Sequence, residues 1–537
     1  MKVITKTIAA GILGAALLSP LAFAKNHPIT GEPLADDQTY TYRLLDELES
    51  LDPQINESYD GSVVLLDLFE GLANQDADGN LMPGVAQRWV ANDDNTGYRF
   101  YLRKDAKWSN GDPVTAHDFV YAWRRLVDPA TASPYSWFME IMYVENASEI
   151  INGEKDPSTL GVTALDDYTL DVKLSQPVPY FPKMVTHAST FPVNQKVVEK
   201  YGSDWTKPGN MVSNGAYKLS DRVINERLVR VRNPMYWNNG ATIVDKVVAL
   251  IINDENQAYT RFKAGELMET DIPAGQFPRL KKEDPEETKS MPQLCTYYYN
   301  FNMTRAPFDD VRVRTALAYA IDRNVIANKI LAAGQTPAYF FTPPKTNGFV
   351  APDIEWAHMN QKELDAKAAE LLAEAGYSKS NPLKLSILYN TSEAHKKIAI
   401  AISQMWKQKL GVEATLENQE WKTYLETKKA ADYDVARAAW CGDYNEASTF
   451  LTLLMSNNAQ NDSKYKNPAY DKLLDETTSL KDPNVNYTKA EKILAGDMPI
   501  APIYFYAHAL AISNKLKGWP YNNVEQNIYS KDLYIVK

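Results

Sequence analysis

An α/β fold of more than one domain is what this sequence predicts, and three observations predict it. Residues 361–440 alternate helix and strand in a β-α-β-α-β order that implies parallel strands. The 537 residues are too many for one hydrophobic core. Residues 70–193 interrupt the larger pattern as a small insert of mixed α and β.

The chain opens on an export signal. Lys2 and Lys6 are a basic start, Ile8 to Leu18 is an uncharged apolar run, and Ala22-Phe23-Ala24 has the small-x-small cleavage pattern. The run is short for a membrane anchor. A cut after Ala24 leaves 513 residues and moves the net charge from −11 to −13. No Cys follows that cut, so a lipid anchor is not expected. An acidic surface argues against nucleic acid or anionic lipid as the main partner.

Gln38 to Leu44 alternates like a strand, and Val63 to Leu72 has helical spacing. Tyr98 to Leu102 predicts a strand, Thr115 to Leu126 a helix with Thr115 as its cap, and Leu165 to Leu174 a hairpin turning at Asp166-Asp167. Gly215 to Leu219, Arg227 to Val231 and Val244 to Ile252 return to strand, and Ala258 to Ala264 to helix. Pro292 to Asn302 is a strand of high aromatic content, and Asp310 to Ala333 a helix pair closed by Gly334. Then come helix Gln361 to Ala375, strand Leu383 to Tyr389, helix Ser392 to Leu410, strand Val412 to Glu417, helix Glu420 to Lys429 and strand Asp434 to Trp440. Ser448 to Met455 and Pro468 to Ser479 read as helices, Pro502 to Tyr506 and Tyr534 to Val536 as strands.

The stretch Asp434 to Glu446 concentrates chemistry. Arg437 lies on the strand, Trp440 gives a flat wall, and Gly442 supplies a turn that sets Asp443 past the strand end, where α/β sheets bind ligands. Together they suit both ends of a zwitterion. A core strand and a surface loop, with Arg437 and Asp443 paired elsewhere, is the plainer alternative. The two cysteines, Cys295 and Cys441, predict a disulfide in an exported chain, with two buried thiols as the alternative.

Marks of catalysis are absent. There is no His-Glu-x-x-His, no pair of CxxC motifs, no Gly-rich phosphate loop and no G-x-S-x-G, and the six His are scattered. Neither an enzyme nor a metal or other cofactor is expected.

A series of motifs resembles the periplasmic oligopeptide-binding proteins of Gram-negative ABC importers. It runs Asn418-Gln419-Glu420-Trp421-Lys422-Thr423, Val435-Ala436-Arg437 and Trp440-Cys441-Gly442-Asp443-Tyr444-Asn445-Glu446. Leu51-Asp52-Pro53, Asp67-Leu68-Phe69-Glu70-Gly71-Leu72, Trp108-Ser109-Asn110-Gly111, Thr131-Ala132-Ser133-Pro134-Tyr135, Gly209 to Tyr217 and Tyr534-Ile535-Val536-Lys537 extend it over essentially the whole mature chain.

The resemblance implies a fold similar to type II periplasmic binding proteins, with two lobes closing on a peptide and three domains. Lobe I would be 25–69, 194–294 and 508–537; the extra α+β domain 70–193; lobe II 295–507. It implies a peptide N-terminus at Asp443 and a carboxylate at Arg437 and His395. Glu57, Tyr59, Tyr135, Tyr298, Trp421, Trp440, Cys441, Gly442 and Tyr506 would line the backbone and side-chain pockets. Trp421 also reads as plain core, Tyr298 as packing only around the disulfide, and His395 as an exposed helix residue. Where the oligopeptide type has Arg-His, this chain has Lys428-Lys429, poor substitutes for a planar fork at the carboxylate end.

The implied partners are short peptides and an inner-membrane ABC permease, with a periplasmic monomer, no nucleic acid and no covalent chemistry. A murein-tripeptide-binding protein shares most of the motifs and is the alternative. Cys295 and Cys441 favour the general oligopeptide type, whereas Ser448 to Leu454 and Met498 to Pro502 lean toward the murein type. A secreted peptidase and a chaperone are the remaining readings.

Overall fold

The computed structural model describes residues 25–537. The expected signal and its cut after Ala24 lie outside the described residues. Among the described residues no helix is long and apolar enough to cross a membrane.

An 11-stranded mixed sheet organises the molecule. Its order is Glu413–Gln419, Lys384–Asn390, Val435–Cys441, Thr288–Phe301, Ile500–Ile512, Glu269–Asp271, Thr39–Leu44, Lys246–Ile251, Arg227–Arg232, Tyr217–Val223, with Thr336–Pro337 added beside Ile500–Ile512. The strands Lys384–Asn390, Glu413–Gln419 and Val435–Cys441 are parallel, as the alternation of helix and strand predicts. Helix Glu393–Leu410 makes the first crossover. Ser392 caps its start, Gly411 ends it in the left-handed region at φ 74°, and Ile398, Ile402 and Trp406 form its buried stripe.

Two long strands, Thr288–Phe301 and Ile500–Ile512, run antiparallel through the middle of the sheet. Their register shifts between Pro292 and Thr296. On one side of the shift Ile500–Ile512 pairs with Glu269–Asp271; on the other, Thr288–Phe301 pairs with Val435–Cys441. Cys295 and Cys441 stand opposite each other in that second pairing and form a disulfide across 146 residues. Cross-linking so long a loop restricts the unfolded chain, which is worth about 2–5 kcal/mol. Reduction, or Cys295→Ser with Cys441→Ser, is expected to lower the melting temperature by several degrees in calorimetry.

The insert carries its own sheet, in the order Ala86–Ala91, Gly97–Leu102, Thr169–Lys173, Val162–Asp166. Helix Ala116–Val127 covers it, capped by Thr115 and Asp118 and burying Phe119 and Trp123.

Several boundaries differ from the sequence reading. The helix expected at Val63 to Leu72 is Tyr59–Leu68. Ser58 Oγ accepts from Gly61 N and starts it early. The side chain of Asn214 takes both backbone groups of Glu70, at 3.0 and 2.9 Å, and draws the chain out of the helix. The helix pair expected over Asp310 to Ala333 becomes Val311–Tyr319, the single turn Arg323–Val325 and the wider turn Ile326–Leu331. Helix Asn484–Asp497 was not anticipated, because polar Asn486 and Glu491 lie on its buried face and break the apolar stripe. Glu491 is occupied there: it accepts from the backbone of Phe341 and Thr342 at 2.9 and 2.7 Å.

Candidate functional site

One cavity of about 480 Å³ gathers the predicted binding residues, with only Lys429 and the disulfide residue Cys295 outside its lining. Arg437, Ala439 and Cys441 reach it from alternate positions of one strand. That strand is paired to Lys384–Asn390 only at Val435 and Ala436. From Arg437 to Cys441 its edge on that side has no neighbouring strand among the described residues, though Tyr424 Oη donates to Arg437 O, while the other edge is fully paired with Thr288–Phe301.

Gly442 follows, but not as the flexible turn expected from sequence. Its backbone is outside the positive-φ set, and a Cβ there would stand 2.8 Å from Leu294 Cδ2 and 3.0 Å from Thr449 Cγ2. Close packing is what demands glycine. Thr449 then orients the next residue, its Oγ1 accepting from Asp443 N at 3.0 Å.

Asp443 is a buried carboxylate with an incomplete shell. Its Oδ1 accepts from Tyr135 Oη at 3.2 Å. His187 Nε2 stands 3.4 Å from the same oxygen. His187 Nδ1 lies 2.8 Å from Ser189 Oγ and accepts from Ser189 N at 3.4 Å. Burial lowers the His187 pKa to about 3, so the ring is neutral and brings no charge to Asp443. Oδ2 is buried without a partner. Burial therefore raises the Asp443 pKa well above the carboxylate range, against the Tyr135 hydrogen bond that lowers it.

Arg437 is the counterpart, 8% exposed. It donates to Asn390 Oδ1 at 3.3 Å and to Tyr506 Oη at 3.0 Å, and its Nε has no partner. Its guanidinium lies 5.0 Å from the Tyr297 ring centre. Among the described residues no carboxylate pairs with it. His395 is half-buried beside it, and desolvation of the ring, with the Arg437 charge, holds that imidazole well below its usual pKa and therefore neutral. Its Nδ1 also lacks a partner.

The two lysines have counterions already. Lys428 Nζ is 2.8 Å from Asp462 Oδ2, and Lys429 Nζ is 2.5 Å from Glu57 Oε1. Glu57, Tyr59, Tyr298, Trp421, Trp440 and Tyr506 complete the walls. Tyr59 Oη donates to Gln526 O at 3.0 Å, and Trp440 packs 6.0 Å from Trp137.

Sequence reading missed His187, Glu525 and an acidic wall of Asp60, Glu269 and Asp271. Arg43 balances that wall through an ion pair with Asp271, whose Oδ1 also lies 3.8 Å from His508 Nε2. Burial raises Asp60 to about 6, nearby Asp46 to about 7, Glu525 to about 7, and Glu269 well above its ordinary value. These groups bind protons more tightly folded than unfolded. Their contribution is full below the unfolded carboxylate values and is lost as pH rises through about 6 to 7. The protein is expected to melt several degrees higher at pH 5 than at pH 8, a trend opposite to that of a protein held by ionised carboxylates.

Comparison with known proteins places this architecture. A family model described as bacterial extracellular solute-binding proteins, family 5 Middle, matches residues 80–462. The periplasmic oligopeptide-binding protein OppA of Salmonella typhimurium is 47% identical over 535 residues, covering 99% of this chain and 98% of that protein. The solved murein tripeptide binding protein MppA of Escherichia coli is 47% identical, with a TM-score of 0.92 over 94% of this chain and 99% of that one. Haemophilus influenzae OppA in complex with RPPGFSPFR is 46% identical, with a TM-score of 0.91 over 94% and 100%. An unliganded open form of MppA superposes at a TM-score of only 0.68, over 94% of this chain and 98% of that one. The difference between the two MppA scores, at the same 47% identity, means that the arrangement seen here is not the open one.

Proposed function

This chain belongs to the family 5 bacterial extracellular solute-binding proteins, and from that premise we propose that it captures short peptides in the periplasm for an inner-membrane ABC permease. One observation carries the reading: an open strand edge with an unmatched cation at one end and an unmatched anion beyond the other. Arg437 and Asp443 are six residues apart, at most about 20 Å along an extended chain. Allowing for inward reach of both side chains, an extended peptide of about three to five residues fits between them.

Such a peptide pairs its main chain with the edge from Arg437 to Cys441, which supplies affinity without reading sequence. Asp443 takes the α-ammonium. Arg437 and His395 take the carboxylate. The carboxylate of a longer ligand competes with Asp462 and Glu57 for Lys428 and Lys429. Glu57, Tyr59, Tyr135, Tyr298, Trp421, Trp440, Cys441, Gly442 and Tyr506 enclose its backbone and side chains.

The protein acts as a monomer without cofactor or covalent step, after removal of residues 1–24. Its lobes are 25–69, 194–294 and 508–537 against 295–507, with 70–193 as the extra domain, and they turn about the two long strands near 294 and 507. The register shift between Pro292 and Thr296 supports that position for the hinge. Likeness to MppA favours a second reading, murein tripeptide capture. Native mass spectrometry of protein drawn gently from periplasm distinguishes them. A mixture of unrelated peptides supports general capture, and a single mass containing diaminopimelate supports the murein reading. Cleaved fragments of an added peptide would overturn both.

A further inference from the structure

Glu525 is a buried carboxylate that peptide capture through Asp443 and Arg437 does not employ. It is 7% exposed and lines the same cavity. Its Oε2 accepts from Gln75 Nε2 at 2.8 Å, while Oε1 is buried without a partner. Gln75 is itself fixed, its Oε1 accepting from the side-chain amides of Asn523 and Asn527 at 2.9 and 2.8 Å. Asn523 Oδ1 also accepts from Glu525 N at 3.0 Å. The carboxylate is thus held rigidly with one oxygen left over.

Asp443 Oδ2 is the other unpartnered carboxylate oxygen in this part of the cavity, and the charge of Glu525 is among the causes that raise Asp443. Lys183 is the cation that acts on Glu525, but its Nζ donates to Asn445 O at 3.3 Å and forms no ion pair among the described residues. His187 is neutral, and burial raises the Tyr529 phenol so that it stays protonated. One α-ammonium answers one of two orphan acceptors.

We propose that Glu525 forms a second cation subsite beside Asp443 and selects peptides whose first residue carries a side-chain amine. This rests on Asp443 receiving the peptide amino terminus. Burial raises both carboxyls, Glu525 to about 7, so each takes up a proton more readily than an exposed carboxylate. An apolar first side chain leaves the Glu525 proton in place. An amine displaces it and gains a charged hydrogen bond.

The test is calorimetric titration of the full mature chain with Lys-Ala-Ala, Orn-Ala-Ala and Nle-Ala-Ala. At pH 8 the better of the two amine peptides is expected to bind about tenfold or more tighter than the norleucine peptide. The ratio should shrink toward one at pH 5.5, where Glu525 keeps its proton while the amines stay charged. Glu525→Gln should abolish the ratio and leave Nle-Ala-Ala affinity unchanged, which also shows that the variant folds. Equal binding of all three peptides by the unaltered protein, or a preference that survives in Glu525→Gln, overturns the subsite. Failure of all three to bind overturns peptide capture itself.

Discussion

Asp443→Asn is expected to lose about a hundredfold or more in affinity for trialanine, measured by calorimetry at pH 7.5. The amide keeps the Tyr135 contact and the shape of the pocket but cannot carry the charge that answers an ammonium. Removing one partner of a buried charged hydrogen bond costs about 2–5 kcal/mol, most of it from the ion left unmatched. Folding should not suffer, because Oδ2 makes no hydrogen bond among the described residues. The same titration in buffers of different ionisation enthalpy should show proton release for the unaltered protein. Burial raises the Asp443 pKa and a neighbouring ammonium lowers it again, so binding releases protons and affinity rises with pH below the raised value. Unchanged affinity in Asp443→Asn would remove this residue from the amino-terminal role.

Arg437→Met is expected to weaken trialanine by about a hundredfold as well, but with the opposite signature in stability. A guanidinium that is 8% exposed with no carboxylate partner among the described residues burdens the fold. Methionine fills much of its length and removes the charge, so the empty variant should melt no lower than the parent. Loss of binding together with a large fall in melting temperature would mean that Arg437 serves packing through Tyr506 and Asn390 instead. Arg437→Lys should fall between, since an ammonium keeps the charge but not the fork.

Local grammar explains what was readable beforehand. From 361 to 440 each helix has a cap, a stripe and a terminal glycine or turn within a few residues, so neighbouring positions decide the outcome. The same holds for Arg437, on a strand, and Asp443, two residues past its end. What escaped reading depends on sheet order. Lys429 meets Glu57 across 372 residues. Glu269 and Asp271 arrive on a strand of three residues, too short for any periodicity. His187 and Glu525 reach the cavity from segments with no sign of chemistry in their own neighbourhood. Gly442 was noticed for the wrong reason, because crowding by Leu294 and Thr449 exists only after folding.

The position of Ile500–Ile512 bears on how the molecule is made. This late segment lies in the interior of the sheet, between Thr288–Phe301 and Glu269–Asp271. A chain emerging from its N-terminus therefore exposes two incomplete half-sheets with bare edges until nearly all of it is available. Contacts of such long sequence separation form slowly, and open edges invite association with other chains. Joining of the two half-sheets therefore has to wait for the last few dozen residues.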